Sequence, residues 1–420
     1  MELNKDLFVI PYSNNRNIIY APLRGVLFDT NNTGAEVVKK YIENADLSNA
    51  EIESSMGKHL LVLEKMPTLK PNYSETTKNK SHLVIILSQI CNLSCDYCFA
   101  KEAHSNEKIT QEKLKQTLDY FLSQPNKNKS INFIGGGEPT MTWDLLVYAV
   151  EYVLSKTNDS NFPFSITTNG TLLTNSKLDF IKKHKIKIGL SFEVLPEIQN
   201  LQRGFSKPEV KSFPLIDEAI KKLTVMEIPY SIRSTITRNN VYLMTDMVEF
   251  IVNNYPNVNR VHFEQVSDPQ SDSTTFYNDF IDAFFKAREL GKQKGIKVYN
   301  SVSNAVSSLK QHFCGGELCL TPTGDISSCH RVSSIRDNHF NSFVYSNTKH
   351  LADINYAKIE QQVKNNKPIE CKDCFAKWHC AGGCDAERFI STPKQIQAHC
   401  NFVKEITKRV LIEKLEDNKL

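Results

Sequence analysis

Between His82 and about Gly295 the chain alternates short apolar runs with amphipathic stretches. Leu83–Leu87, Ser130–Ile134, Phe164–Thr168, Lys187–Phe192, Tyr230–Thr235 and Arg260–Glu264 read as strands. Thr110–Leu122, Trp143–Leu154, Ser176–Lys183, Leu215–Met226, Met244–Asn253 and Phe276–Lys294 read as helices. Six βα units imply an α/β fold with a parallel sheet and helices outside. Periodicity does not say whether the sheet closes or stays an open partial barrel. In either case the active site belongs at the C-terminal ends of the strands.

The flanks differ. Leu7–Tyr12, Asn17–Ala21 and Gly25–Asp29 read as short strands, and Thr33–Ile42 and Asn49–His59 as helices, with a capping-box start at Thr33–Glu36. A third helix near Leu60–Met66 is expected to be short or absent. The pattern predicts four regions: a small β/α domain over 1–66, a polar, proline-bearing linker over 67–81, the alternating region over 82–300, and a cysteine-rich region over 301–420. Long periodic segments are few in the last region until a closing helix, about Phe402–Leu415.

Composition narrows the class. The chain has 420 residues, 40% hydrophobic, enough for two or three domains with ample core. No apolar run has the length of a membrane span, and the charged start Met1-Glu-Leu-Asn-Lys-Asp has no signal-peptide core behind it, so a cytoplasmic location is expected. A net charge of +4 gives no sign of nucleic-acid binding. Lys182-Lys183-His184-Lys185 reads as a solvated helix end.

The eleven cysteines fall into two groups with none left over. The first is Cys91-x3-Cys95-x2-Cys98; the second is Cys314, Cys319, Cys329, Cys371, Cys374, Cys380, Cys384 and Cys400. An odd count in an unexported chain argues against disulfides. Three thiolates hold a cubane at three irons and leave the fourth open, and eight can close two further clusters. Zinc is the rival, since Cys371, Cys374, Cys380 and Cys384 would suffice for one zinc site.

The cysteine trio directly follows the first strand of the alternating region, and there the chain resembles the radical S-adenosylmethionine (SAM) enzymes. That resemblance implies a partial (β/α)6 TIM-like barrel whose open iron binds SAM and whose reduced cluster cleaves it to a 5′-deoxyadenosyl radical. Tyr97 falls at the family's aromatic position near the adenine. Gly135-Gly136-Gly137-Glu138-Pro139, after the second strand, resembles the family's GGEP loop, with Glu138 expected to receive the SAM ammonium. Thr167-Thr168-Asn169-Gly170-Thr171 matches a recurrent segment after the third strand. Ser191-Phe192-Glu193 stands where many relatives have Ser-x-Asp-Gly-Pro, and Arg203 at the spacing of a carboxylate-binding arginine. Glu193 for Asp, and Val194-Leu195 for Gly-Pro, depart from the pattern; Glu193 is expected to hold a ribose hydroxyl. As plain structure, Ser191 and Arg203 read as a helix cap and a surface ion pair.

The second cysteine group is similar to the SPASM domain. Carried over, the resemblance gives Cys314, Cys319, Cys329 and Cys384 to one auxiliary cluster and Cys371, Cys374, Cys380 and Cys400 to another, a crossed assignment making three [4Fe-4S] clusters in all. Such enzymes mostly modify peptides. In the sulfatase-maturing branch an aspartate base follows the cysteine of Gly-x4-Cys; here that place holds His330, a possible base at neutral pH or a bland polar residue. The N-terminal strands and helices resemble a leader-recognition domain, or else a hairpin cap on the barrel. The expected function is a peptide maturase that cross-links a ribosomally made precursor peptide, by a C–C or ether bond first and a thioether next, with a flavodoxin or ferredoxin as reductant. The alternatives are formylglycine formation, epimerisation, a small-molecule radical enzyme and a zinc-dependent scaffold.

Overall fold

The structure is a computed structural model that describes residues 2–72, 80–207, 209–267, 273–337, 339–365 and 371–417. Two sheets organise it. The first is an antiparallel meander of β1 (Phe8–Ser13), β2 (Arg16–Ala21) and β3 (Val26–Thr30). The second has ten strands. Its parallel part comprises β4 (His82–Ile85), β5 (Ser130–Phe133), β6 (Phe164–Thr168), β7 (Lys187–Ser191), β8 (Tyr230–Ile236), β9 (Arg260–Gln265) and β10 (Lys297–Tyr299). All six expected strands are present; β10, at three residues, is too short to leave a periodic signal.

On the far side of β4 the same sheet continues into the cysteine-rich region. β11 (Leu318–Leu320) pairs parallel with β4, and β12 (Asp325–Ser327) and β13 (Val344–Asn347) follow antiparallel. The sheet therefore crosses the boundary expected near residue 301. It does not close, because β10 and β13 form its two edges. One row of strand residues is sealed by the helices: Ile131, Phe133, Ile166, Ile188, Leu190, Ile232, Phe263 and Val298 are 0–3% exposed and join the main core.

The N-terminal sheet buries both faces. Ile19 and Ala21 pack on Val37, Val38, Leu60 and Leu63 of its own helices. Ile10, Ile18 and Tyr20 enter the main core instead. Three helices follow the sheet, Asn32–Ile42, Asn49–Glu53 and Ser55–Lys65. Two expectations are corrected here. The third helix is present with eleven residues, because Ser54 breaks the predicted Asn49–His59 helix and caps the next one by accepting from Gly57 N. The first helix is capped by Asn31, not by a box at Thr33; the capping box lies at Ser48 and Glu51. Residues 73–79 of the expected linker lie outside the described residues, while Leu69 N bonds Leu23 O and Asn72 bridges Lys310. The closing helix runs Pro393–Asp417, longer than expected, and carries Cys400. Among the described residues no helix is long and apolar enough to cross a membrane.

Candidate active site

Cys91, Cys95 and Cys98 lie on the loop after β4 as free, partly exposed thiols. The loop is held from the side: Ser94 N donates to Gly204 O at 2.8 Å and Asp96 N to Gln202 O at 3.2 Å. Burial pushes the Cys91 thiol up to about 12 and raises Cys95 and Cys98, Cys95 against the pull of Arg203. Such thiols are neutral at pH 7 by themselves, and a bound metal centre reverses that preference by stabilising the thiolate.

The Gly135–Pro139 loop is braced onto the segment that leads to Cys91. Gly137 N donates to Ser88 O and Glu138 N to Ile90 O, at 2.9 and 2.8 Å. A Cβ on Gly137 would stand 1.9 Å from Ile90 O, so only glycine permits this approach. Glu138, 4% exposed, accepts from Thr140 N and Oγ1, Thr168 Oγ1 and Asn169 N at 2.6–3.0 Å. Asn169 Nδ2 in turn donates to Asn92 Oδ1 within the cysteine loop, at 2.9 Å. Glu138, Thr168 and Asn169 thus lock three strand ends together; three of the four donors go to Glu138 Oε1 and one to Oε2, which keeps acceptor capacity.

Glu193 departs from its expected role. Its carboxylate is enclosed, accepting from Tyr97 Oη and from Arg203 Nε at 2.7 Å on Oε1, and from Ser234 Oγ at 2.6 Å and Thr235 N at 2.9 Å on Oε2. No lone-pair direction is left for a ribose hydroxyl. Arg203 is buried, not a surface ion pair. Ser191 ends β7 and is half-buried.

The alternate row of the parallel strands is polar and partly exposed. In register across β7–β10 stand Ser191, Arg233, His262 and Tyr299, with Thr235 beside Glu264 one step further along. His262 stacks on Tyr299 at 4.8 Å, and its Nε2 lies 2.5 Å from Glu264 Oε2. Glu264 also accepts from Ser301 N and Oγ. Burial alone would raise the Glu264 pKa; His262, Arg233 and Ser301 outweigh it and hold the carboxyl at about 2. These residues were not singled out from the sequence, although a signal exists. Parallel strands covered on both faces read as continuous apolar runs, whereas Tyr-Ser-Ile-Arg-Ser-Thr-Ile and Arg-Val-His-Phe-Glu-Gln alternate. Alternation in a parallel sheet marks a polar chamber on the uncovered face.

The C-terminal cysteines separate into two sets by which thiols act electrostatically on which. Cys314, Cys319, Cys329 and Cys384 influence one another; Cys380 responds to Cys400, Cys371 and Cys374. Cys380 and Cys384 fall in different sets despite their closeness in sequence. Burial raises Cys380 to about 12. His330 donates its backbone N–H to Glu317 at 2.7 Å, and its Nδ1 lies 2.9 Å from both carboxylate oxygens. Its ring meets the edge of Phe99, next to Cys98, at 6.3 Å.

These donor sets fit iron–sulfur clusters. One set of three soft thiols fits a cubane with one open iron, and each set of four fits a closed one. Among the described residues no three Cys, His, Asp or Glu side chains converge tightly enough for a single metal ion.

Residues 85–238 match the family model of the Radical SAM superfamily. Residues 85–238 are a radical SAM domain, and the chain is an enzyme. A cysteine-type anaerobic sulfatase-maturating enzyme of Clostridium novyi is 24% identical over 342 residues, 73% of this chain and 88% of the relative. The radical SAM cyclopropyl synthase TigE of Paramaledivibacter caminithermalis is 23% identical over 353 residues, 74% of this chain and 69% of the relative. In fold, the chain is similar to anSMEcpe with bound AdoMet and the Cp18Cys peptide, with TM-score 0.66 and 21% identity, covering 80% of this chain and 99% of that one. Streptococcus suis SuiB bound to its precursor peptide SuiA gives TM-score 0.53 at 14% identity, with 94% and 98% covered. The family implies a 4Fe-4S cluster and SAM; Cys91, Cys95 and Cys98 are the residues of this chain suited to that cluster.

Proposed function

We propose that this radical SAM enzyme is a peptide maturase. When bound at Cys91, Cys95 and Cys98, the cluster supplies the electron that splits SAM into methionine and a 5′-deoxyadenosyl radical. That radical takes a hydrogen from a ribosomally made precursor peptide seated in the polar chamber of β7–β10. The peptide radical then closes a bond to a nearby residue, C–C or ether first and thioether next; that residue's C–H, O–H or S–H bond breaks, its proton is released, and the surplus electron passes to an auxiliary cluster. Cys314, Cys319, Cys329 and Cys384 hold one auxiliary [4Fe-4S] cluster and Cys371, Cys374, Cys380 and Cys400 the other. A flavodoxin or ferredoxin is the reductant. Tyr97, Gly136, Gly137, Thr168, Asn169 and Ser191 shape the SAM site.

One observation carries the peptide reading. The N-terminal sheet and its three helices are docked through Ile10, Ile18 and Tyr20, and β3 is left as a sheet edge. An extended leader peptide adds to such an edge by main-chain hydrogen bonds. The other edge, β1, carries Pro11 and a register shift, features that discourage pairing. The likeness to SuiB, which spans 94% of the chain against 80% for anSMEcpe, supports the same branch.

Formylglycine formation is the second reading, favoured by the His330–Glu317 pair beside Phe99. Mass spectrometry of a short peptide encoded beside the gene, co-expressed with the enzyme, separates the readings. A loss of two hydrogens within the peptide, with fragmentation blocked between two residues, supports cross-linking. An aldehyde at a single Cys or Ser overturns it in favour of the second reading.

A further inference from the structure

The loop of Cys95 and the segment of Arg203 run side by side, joined by the backbone bonds of Ser94 and Asp96. From that position Arg203 points back at the cysteine. Its Nη1 donates toward Cys95 Sγ at 3.9 Å, and its guanidinium carbon lies 5.3 Å from the centre of the Tyr97 ring. The Arg203 side chain is 10% exposed and that of Glu193 0%. Solvent therefore screens this charge little.

Glu193 fixes the arrangement. Four donors from three places in the chain saturate its carboxylate: Tyr97 on the cysteine loop, Arg203, and Ser234 with Thr235 at the end of β8. Its own backbone N–H donates to Gln199 Oε1 at 2.9 Å. The next residue, Val194, has φ +65°, a conformation a β-branched residue adopts only where its surroundings impose it. The strain and the full set of bonds both belong to a brace.

We propose that Glu193 is a positioning residue that holds Arg203 against the Cys95 sulfur, and that Arg203 thereby raises the reduction potential of the cluster bound by Cys91, Cys95 and Cys98. Reduction adds negative charge to the cluster and its sulfurs. A buried cation and N–H donor at a ligand sulfur stabilise the more negative state. The inference rests on the radical SAM assignment alone and stands whether or not the substrate is a peptide.

The test is an EPR redox titration of the full-length, anaerobically reconstituted protein without SAM. In a parallel sample, SAM identifies the signal of the open cluster by perturbing it. Arg203→Gln is expected to shift that cluster to a more negative potential, and Arg203→Lys by less, since the charge is kept. Glu193→Gln decides the positioning role. Loss of a nearby negative charge would by itself raise the potential. Release of Arg203, as the glutamine amide turns toward the guanidinium, lowers it. The expected result is a lowered potential in Glu193→Gln, with little further change in the double variant. A raised potential in Glu193→Gln overturns the positioning role. An unchanged potential in Arg203→Gln, with only the KM for SAM increased, makes Arg203 a SAM contact and overturns the proposal. Iron content and circular dichroism identify folded variants; should Glu193→Gln not fold, the two arginine variants decide the effect on potential by the same criterion.

Discussion

Tyr20 Oη and His379 Nε2 lie 2.5 Å apart, although the residues are 359 positions apart in sequence. The contact joins the N-terminal sheet to the short helix that ends in Cys380. Around it Trp378 Nε1 donates to Asp6 at 2.6 Å and Lys377 Nζ to Lys5 O at 2.8 Å. Tyr20→Phe removes the hydroxyl and leaves a buried imidazole nitrogen unpaired. That should cost about 1–3 kcal/mol. The check is limited proteolysis with the apparent melting temperature: faster cleavage within residues 2–72 and a lower melting temperature are expected.

Gly137, in the proposed SAM site, shows the tightest approach of any glycine among the described residues. Gly137→Ala places a methyl group against Ile90 O, at a spacing backbone atoms do not tolerate. The Glu138 brace should shift with it, and SAM cleavage under dithionite should fall by on the order of 100-fold, the scale of a displaced reacting group. Chromatographic quantification of 5′-deoxyadenosine checks this.

The Glu264 carboxyl, held at about 2, gives stability a pH dependence. Its folded pKa lies below its ordinary 4.5, so the contribution is fully present above pH 4.5 and is lost as pH falls toward 2. At about 1.4 kcal/mol per pKa unit the contribution is on the order of 3 kcal/mol. Thermal melts of metal-free protein between pH 5 and 2.5 should show this loss, and Glu264→Gln should flatten it.

The sequence made the repeating architecture legible and left the contacts between its parts obscure. The six long strands and their helices follow from periodicity because each buries one face. The helix break at Ser54 escaped because Asn49–His59 is continuous in pattern, and only the cap geometry divides it. Spacing alone places Glu138 and Glu193 at strand ends but does not show the bonds that Thr168, Asn169, Ser234 and Thr235, from neighbouring strand ends, make to them. The chamber residues Arg233, His262 and Glu264 leave only a faint mark in the sequence, the polarity of alternate strand positions, and it is the pairing of β8 with β9 that brings them to one face.

Cys374 lies close enough to Cys380 to act on its thiol and, in the proposed assignment, ligates an auxiliary cluster apart from Cys91, Cys95 and Cys98. Cys374→Ala should lower the iron content from about twelve per chain and reduce peptide product while leaving SAM cleavage largely intact. Iron analysis beside 5′-deoxyadenosine and product yields checks the separation; loss of both activities would point to a role in folding.

The most direct measurement compares 5′-deoxyadenosine release by the wild-type protein and Cys95→Ala, both reconstituted with iron and sulfide and reduced with dithionite in the presence of SAM. The account predicts 5′-deoxyadenosine from the wild type and none above background from Cys95→Ala, with the eight C-terminal cysteines intact in both. Release by Cys95→Ala at a rate near that of the wild type would contradict it.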